Sequence, residues 1–235
     1  MSSSASPADP FAALSVDEPV STVDRVAEEL RRALFEGEIG PGTPLREVAL
    51  AESLGVSRPT VREALAVLIA DGLADRVPNR GTAVRTLSPE DVVDVCQARL
   101  ALELAGIARW EAAGAEERQA VRDAFAEFTA LEGTGASAAE ITAAHLAIHR
   151  SLTGLTGSAR LVAMSESLYA EIRLALASVE RAKGNLPEQV HSHGALLELL
   201  EHGDLDGARD ELERHLAGAA ASMIDSLGLD EVAEA

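Results

Sequence analysis

The sequence has few of the residues that build disulfide-bonded, membrane-spanning or sheet-rich proteins. Its single cysteine, Cys96, excludes a disulfide within the chain, and no apolar run reaches the roughly 20 residues of a membrane-spanning helix. Aromatic residues make up 3% of the chain, whereas sheet-rich domains depend on aromatic and β-branched side chains. Because no signal peptide is visible either, we expect a soluble, cytoplasmic, mainly helical protein without a membrane partner.

Basic residues are also scarce, and their distribution matters more than their number. The 235-residue chain has 20 Lys and Arg against 39 Asp and Glu, a net charge of −19, which by itself opposes binding to DNA. Residues 21–85, however, contain nine Arg and ten acidic residues, whereas residues 86–235 contain 11 basic and 26 acidic residues. The acidic excess therefore lies mainly in the second part, and the first part can bind DNA if its arginines share one face.

The length of the chain and the positions of its glycines and prolines predict two domains that follow an N-terminal tail. Residues 1–20 have no sustained period and are predicted to be a disordered tail; 21–86 form a first domain, and 87–235 form a second, all-helical domain. The predicted helices are periodic stretches bounded by capping residues and glycines: about 22–36, 46–54, 57–71, 90–113, 115–132, 138–154, 158–181, 187–202 and 205–227.

The third predicted helix has the composition of a DNA-reading element. In 57-SRPTVREALAVL-68 the apolar residues follow one helical face, while Arg58 and Arg62 lie one turn apart on another. Arginine can bridge two acceptors of guanine or clamp a phosphate, and Thr60 could bond a phosphate or a base edge. The alternative is an ordinary helical hairpin with solvated arginines. Two strand candidates, 74–77 and 82–85, follow and flank a Pro-Asn-Arg-Gly turn as a small β-wing.

This order of elements is the layout of a winged helix-turn-helix, and the residues carry a family resemblance. The segment 45-LREVALAESLGVSRPTVREAL-65, followed by 80-RGTAV-84, resembles the DNA-binding domain of the GntR family. The resemblance covers about residues 21–85 and implies that Arg46, Arg58, Thr60 and Arg62 contact the operator, with Arg80 and Gly81 at the minor groove. Glu47 and Glu63 also match, and are expected to cap and pair helices rather than read bases.

Four of the six histidines fall on apolar helical stripes. His145 and His149 lie one turn apart in 138–154, and His193 and His215 lie on two later helices. A single such histidine is more often a core residue than a ligand. Four buried imidazoles without partners are costly, however, and a shared metal removes that cost while leaving positions for water or an effector. His191 and His202 fall on polar faces and are expected at the surface.

The second half resembles the FCD ligand-binding domain of the FadR subgroup of GntR regulators, an all-helical bundle whose metal-binding members use one Asp and three His. His149, His193 and His215 stand at matching positions, whereas His145 replaces the usual Asp and Ile148 the usual Phe. An additional neutral ligand lowers the negative charge of the site, which favours zinc or nickel over harder ions. The resemblance therefore implies a divalent transition metal, with the role of His145 left open.

The same resemblance implies an effector site. Arg99, four residues before Glu103, matches a position at which an arginine reaches a small carboxylate effector, and Arg173 is a second candidate. The alternatives are a surface ion pair of Arg99 with Glu103 and a solvated Arg173.

Two classes of function remain in competition. The leading hypothesis is a homodimeric transcriptional regulator, expected to be a repressor, that binds a near-palindromic double-stranded DNA operator under control of the effector. Homodimerisation is implied by the resemblance. The rival is a metal-dependent hydrolase with a nucleic-acid-binding appendage, but no H-E-x-x-H motif occurs and no inward carboxylate is evident beside the histidines. A structural metal without an effector is a third possibility.

Overall fold

The structure, a computed structural model, describes residues 21–184 and 186–226; the predicted tail at 1–20 lies outside the described residues. The elements are, in chain order, α1 (Thr22–Phe35), α2 (Glu47–Leu54), α3 (Arg58–Ala70), β1 (Ala74–Val77), β2 (Gly81–Val84), α4 (Pro89–Ile107), α5 (Ala115–Thr129), α6 (Ala138–Gly154), α7 (Ala159–Lys183), α8 (Leu186–Glu201) and α9 (Leu205–Ser226). The predicted fold class, a winged helix-turn-helix followed by a helical bundle, is confirmed.

The N-terminal unit is built from α1 to α3 and the wing. Ser21 and Asp24 form a reciprocal capping box that starts α1, and Ser57 accepts a hydrogen bond from the Thr60 N–H to start α3. The apolar face of α3, including Val61 and Leu68, is fully buried against α1. Burying this face leaves the opposite, arginine-bearing face of α3 toward solvent.

The wing is an antiparallel hairpin in which Ala74 pairs with Val84 and Val77 with Gly81. Strand β2 starts one residue earlier than the sequence predicted, because Gly81 already pairs with β1. The segment before α2 adds a third short partner: the Leu45 N–H donates to the Thr82 carbonyl at 2.8 Å. The sequence did not predict this pairing, since the segment contains proline and has no alternating pattern.

The C-terminal unit is a bundle in which α6 packs against α4, α5 and α7, while α9 packs against α4, α7 and α8. Helix α4 ends at Ile107 rather than near residue 113. Beyond it, the N–H groups of Arg109 and Trp110 donate to carbonyls three residues back, at 2.8 and 3.0 Å. These tighter turns bury Trp110, which is 5% exposed, and so end the helix against the core. Within the described residues, no helix is long and apolar enough to span a membrane.

Helix α7 connects the two units. Its Ala177 is fully buried in the core of the N-terminal unit, and the next turn places Arg181 against the end of α1, where its guanidinium donates to the carbonyl oxygen of Phe35. Near the other end of this interface, Gly72 lies so close to Ala170 that a Cβ built on Gly72 would be 2.9 Å from the Ala170 Cβ. The bundle and the DNA-binding unit are therefore packed together along α7, and the start of α6 also packs against α1.

Candidate metal centre and DNA-binding surface

Three helices bring the four predicted histidines into one cluster. Helix α6 supplies His145 and His149 from successive turns, α8 supplies His193, and α9 supplies His215. The Nε2 atom of His149 lies 3.1 Å from that of His145 and 3.3 Å from that of His193, and one nitrogen from each of the four rings lies within 4.8 Å of the others. A tetrahedral ion with bonds of roughly 2.05 Å separates its nitrogen ligands by about 3.3 Å, so the cluster could hold a metal ion.

Burial sets the charge state of these rings. His145, His149 and His193 are between 0% and 4% exposed, and loss of hydration lowers the pKa of all four imidazoles, including that of His215. Neutral imidazoles keep a lone pair available for a metal. Phe128 of α5, which is fully buried, closes one side of the cluster, with its ring centroid 5.7 Å from that of His145.

Two of the rings are oriented by strong partners outside the cluster. The Nδ1 atom of His149 is 2.7 Å from Oε2 of Glu103, and that of His193 is 2.7 Å from the carbonyl oxygen of Gln189. Because both partners accept, each ring carries its proton on Nδ1 and directs the lone pair of Nε2 inward. The expectation that no carboxylate lies beside the histidines was therefore wrong: Glu103, 46 residues from His149 in sequence, reaches it across α4 and α6.

The other two rings have looser partners. The Nδ1 atom of His215 lies 3.4 Å from the hydroxyl oxygen of Ser192, while its Nε2 atom is buried without a hydrogen-bond partner among the described residues. The Nδ1 atom of His145 is likewise buried without one, and lies 4.0 Å from Oε1 of Glu180. Unpaired buried nitrogens cost free energy, which an ion at the centre would recover for His215.

Arg99 and Glu103 form a buried pair, not the surface pair that the sequence left open. Arg99 is 1% exposed and Glu103 0%, with Nε of Arg99 3.2 Å from Oε1 of Glu103. Burial raises the pKa of Glu103 to about 7, although Arg99 opposes this shift. The guanidinium carbon of Arg99 also lies 5.3 Å from the ring centre of Tyr169. One terminal nitrogen, Nη2, remains buried without a partner in the described structure.

A cavity of about 300 Å³ opens beside the cluster. His145 and His215 form part of its wall, and its charged lining consists of Glu180, Glu188, Glu211 and Arg214. Neither effector candidate lines this cavity. Arg99 lies buried beside Glu103, and Arg173 is half-buried and lines a separate cavity with Tyr169 and Glu166. His191 and His202 are exposed, as their polar faces predicted.

On the other unit, α3 presents an exposed arginine pair next to Glu47 of α2. Two of the three guanidinium nitrogens of Arg62 donate to Glu47, with Nε 3.0 Å from Oε1 and Nη2 2.8 Å from Oε2, and Arg58 Nη2 lies 3.7 Å from Oε2 of the same carboxylate. Glu47 thus links the two helices, as the sequence predicted. The hydroxyl oxygens of Thr60 and Ser57 are hydrogen-bonded at 2.8 Å. Thr60 therefore lies at the start of α3 beside these arginines.

The remaining predicted DNA contacts surround the same surface. Arg46 immediately precedes α2 and is exposed, and Arg80 lies at the exposed tip of the wing. Gly81 has a φ of +91°, which the wing turn requires and which favours glycine. A cleft lined by Arg62, Arg76 and Gly81 among others separates α3 from the wing. The recognition helix and the wing therefore flank one groove, as a winged helix needs in order to bind a duplex.

Comparison with known proteins identifies both units. Residues 22–84 match the family described as bacterial regulatory proteins, gntR family, and residues 94–218 match the FCD domain. The chain belongs to the GntR family of transcriptional regulators, in the subgroup with an FCD domain. The resemblance drawn from the sequence motifs is confirmed.

Full-length relatives agree with this assignment. The chain is 30% identical over 212 residues to the probable D-xylose utilization operon transcriptional repressor of Paenarthrobacter nicotinovorans, covering 88% of this chain and 91% of that protein. It is 25% identical over 226 residues to the galactonate operon transcriptional repressor of Escherichia coli, covering 88% and 95%. A crystal structure of a putative GntR regulator from Rhodococcus sp. RHA1 superposes with a TM-score of 0.69 at 27% identity, covering 86% and 97%.

These GntR-family relatives are regulators rather than enzymes, so the comparisons do not support the hydrolase alternative. Glu103, the carboxylate that a hydrolase could have used as a base, is already occupied by Arg99 and His149. The sequence did not reveal that Glu103, Glu180 and Phe128 surround the imidazoles. Their local patterns are those of ordinary helix positions, and only Glu103 carried a usable signal through its i,i+4 spacing from Arg99.

Proposed function

We propose that this GntR-family regulator is a homodimeric repressor whose affinity for a near-palindromic operator is set by a small carboxylate effector bound beside a divalent transition metal. The proposal depends on the histidine cluster of the FCD bundle: three buried imidazoles and the half-buried His215 bring one nitrogen each to within 4.8 Å of one another. The unpaired Nη2 of Arg99, which is also buried, supports the effector part of the proposal. Because operators are chromosomal DNA, the proposed place of action is the cytoplasm.

His145, His149, His193 and His215 are the proposed metal ligands, each through the ring nitrogen that faces the others. An all-imidazole set favours borderline ions, and zinc or nickel fit it better than calcium, magnesium or manganese, which prefer oxygen. A bound ion would supply an electrophilic position for an oxygen of the effector carboxylate. The hydrogen bonds of His149 to Glu103 and of His193 to the Gln189 carbonyl hold the Nε2 lone pairs of these two rings toward the centre.

The effector is proposed to be a small carboxylate for two reasons. Arg99 retains a buried, unpaired donor, and a carboxylate is the partner that a guanidinium binds best. The cavity beside His145 and His215, about 300 Å³, has room for a small molecule. The galactonate operon repressor of Escherichia coli, a relative of similar length, is named for an operon of a sugar acid, which is consistent with this class of ligand.

For DNA, the proposed contacts are Arg46, Arg58, Thr60 and Arg62 in the major groove, with Arg80 and Gly81 at the minor groove. Arg62 would exchange its carboxylate partner Glu47 for an operator base or phosphate. A dimer would place two such surfaces about one helical turn, roughly 34 Å, apart on a symmetric site. An effector that binds the two arrangements of the dimer unequally would change operator affinity.

Selection from random duplex DNA at a stated salt concentration tests the DNA part of the proposal. We expect the recovered sequences to contain a motif with two-fold symmetry. That motif then serves as the probe for binding by metal-free protein, zinc-loaded protein and zinc-loaded protein with a panel of small carboxylates, while each carboxylate is assayed for chemical change.

The expected result is that at least one carboxylate lowers operator affinity of the zinc-loaded protein, without being consumed, and has a weaker effect on the metal-free protein. If zinc binds but no carboxylate changes the affinity for the operator, the ion has a purely structural role. Chemical conversion of the carboxylate would instead indicate that the protein is an enzyme. An operator motif without two-fold symmetry would contradict binding as a homodimer.

A further inference from the structure

The charge around the histidine cluster is not balanced by the imidazoles. Four neutral rings around a divalent ion leave a charge of about +2 in a buried site, and an uncompensated buried charge is strongly unfavourable. In the absence of the effector carboxylate, counter-charge comes from protein carboxylates close to the rings. The described carboxylates that contact the cluster or its partners are Glu103, Glu180 and Glu211.

Two of these three carboxylates are already neutralised. Glu103 is paired with the buried guanidinium of Arg99, and Glu211 is paired with Arg214. Glu180 has no Arg or Lys partner among the described residues; its Oε1 accepts from the side-chain amide of Gln189 at 2.7 Å. Glu180 is therefore the carboxylate whose negative charge remains available to the cluster.

Glu180 is also placed to act on one particular ring. Its side chain is 2% exposed, and its Oε1 lies 4.0 Å from the Nδ1 atom of His145. The Oε2 of Glu180 and the Nδ1 of His145 are both buried without a hydrogen-bond partner in the described structure. The oxygen at 4.0 Å from this ring nitrogen is Oε1, which already accepts from Gln189, whereas the unpartnered oxygen of the same carboxylate is Oε2. A rotation of the carboxylate that brings either oxygen to within about 3 Å of Nδ1 would give both buried groups a hydrogen bond.

We propose that Glu180 is a positioning residue of the metal centre. Its carboxylate accepts a hydrogen bond from the Nδ1–H of His145, so that the lone pair of Nε2 faces the ion, and it supplies the negative charge that the four neutral imidazoles lack. This gives His145 the kind of partner that Glu103 gives His149. Such outer carboxylates fix the ring tautomer and raise the basicity of the ligand. The inference rests on the proposed function in so far as the cluster binds a metal.

The test measures affinity for zinc and for nickel by competition with a chromophoric chelator, using the full chain. We expect Glu180→Gln to weaken binding by about 10- to 100-fold. Glu188→Gln is the matched control: it removes the same charge from the same cavity, but Glu188 is exposed and contacts no ring of the cluster. The control is expected to stay within about twofold of the wild type, since an exposed charge is screened by solvent.

A double-variant cycle separates positioning from general damage to the fold. His145→Asp removes the ring nitrogen that needs a partner and brings its own negative charge to the ion. In that background we expect Glu180→Gln to change affinity less than about threefold, with unchanged helical circular dichroism in every variant. An equal loss in both backgrounds, an equal loss for Glu188→Gln, or no loss for Glu180→Gln would each overturn the role of Glu180. Failure of the wild type to bind either metal would instead overturn the metal centre itself, and with it this inference.

Discussion

The close approach of α4 and α6 at Gly106 gives a quantitative prediction. Gly106 lies in α4 one turn after Glu103, where the backbone of α6 passes at Leu152. A Cβ built on Gly106 would lie 1.8 Å from the carbonyl oxygen of Leu152 and 2.8 Å from its carbonyl carbon. The obstacle is backbone rather than a flexible side chain, so Gly106→Ala requires α4 and α6 to separate.

The expected cost follows from two opposing terms. Overpacking a well-packed core costs about 1–3 kcal/mol or more, and a contact this short places the cost at the upper end. Replacing glycine by alanine within a helix returns about 1 kcal/mol. We therefore expect Gly106→Ala to destabilise the protein by about 2 kcal/mol or more, measured as a lower midpoint of urea unfolding in metal-free protein. Because α4 carries Glu103 and α6 carries His149, metal affinity should fall as well.

Gly218→Ala is the control for this prediction. Gly218 lies within α9, and a Cβ built on it would meet no atom within 4 Å. The same substitution there should stabilise the protein by about 0.5–1 kcal/mol, since only the gain in helix propensity remains. A Gly106→Ala variant as stable as the wild type, or midpoints shifted in the same direction by both substitutions, would contradict the tight packing of α4 on α6.

Three further predictions follow from the site and the interface. Arg62→Ala should weaken operator binding by about 1–3 kcal/mol. Arg209→Ala, which removes the same charge at an exposed position of α9, should have no measurable effect; equal effects of the two substitutions would show that Arg62 contributes only its charge. Burial lowers the pKa of the clustered imidazoles below 6.5, so the unfolded chain takes up protons first, and metal-free protein should lose stability as the pH falls below about 6.5. Burial raises the pKa of Glu103 to about 7 and also raises the pKa of Glu180, so these two carboxyl groups oppose the effect of the four imidazoles. A urea midpoint that is no lower at about pH 5.5 than at about pH 8 would refute the prediction. Arg181→Ala, which removes the contact between α7 and the Phe35 carbonyl, should reduce the effect of effector on operator affinity while leaving metal binding intact; an undiminished effector response would show that coupling runs elsewhere.

Much of this architecture was predictable because its causes are local. The capping box of Ser21 and Asp24 and the cap at Ser57 are read directly from neighbouring residues, and both helices begin where the sequence predicted. The four histidines were found because their helical period placed them on apolar faces. The sequence did not predict the end of α4, because that end depends on tertiary packing. The helix stops at Ile107, where the chain turns to bury Trp110 in the core.

By itself, the sequence determined the two-unit helical fold, the recognition helix and wing, and which histidines face inward. Only the tertiary structure decided which side chains contact those histidines. Glu103 and His149 are 46 residues apart, Glu180 and His145 lie on different helices, and Arg173 faces a different cavity from the cluster. Helical periodicity fixes the face on which a side chain lies, but not the angle and distance at which two helices cross. Only the packed bundle settles which carboxylate reaches which ring.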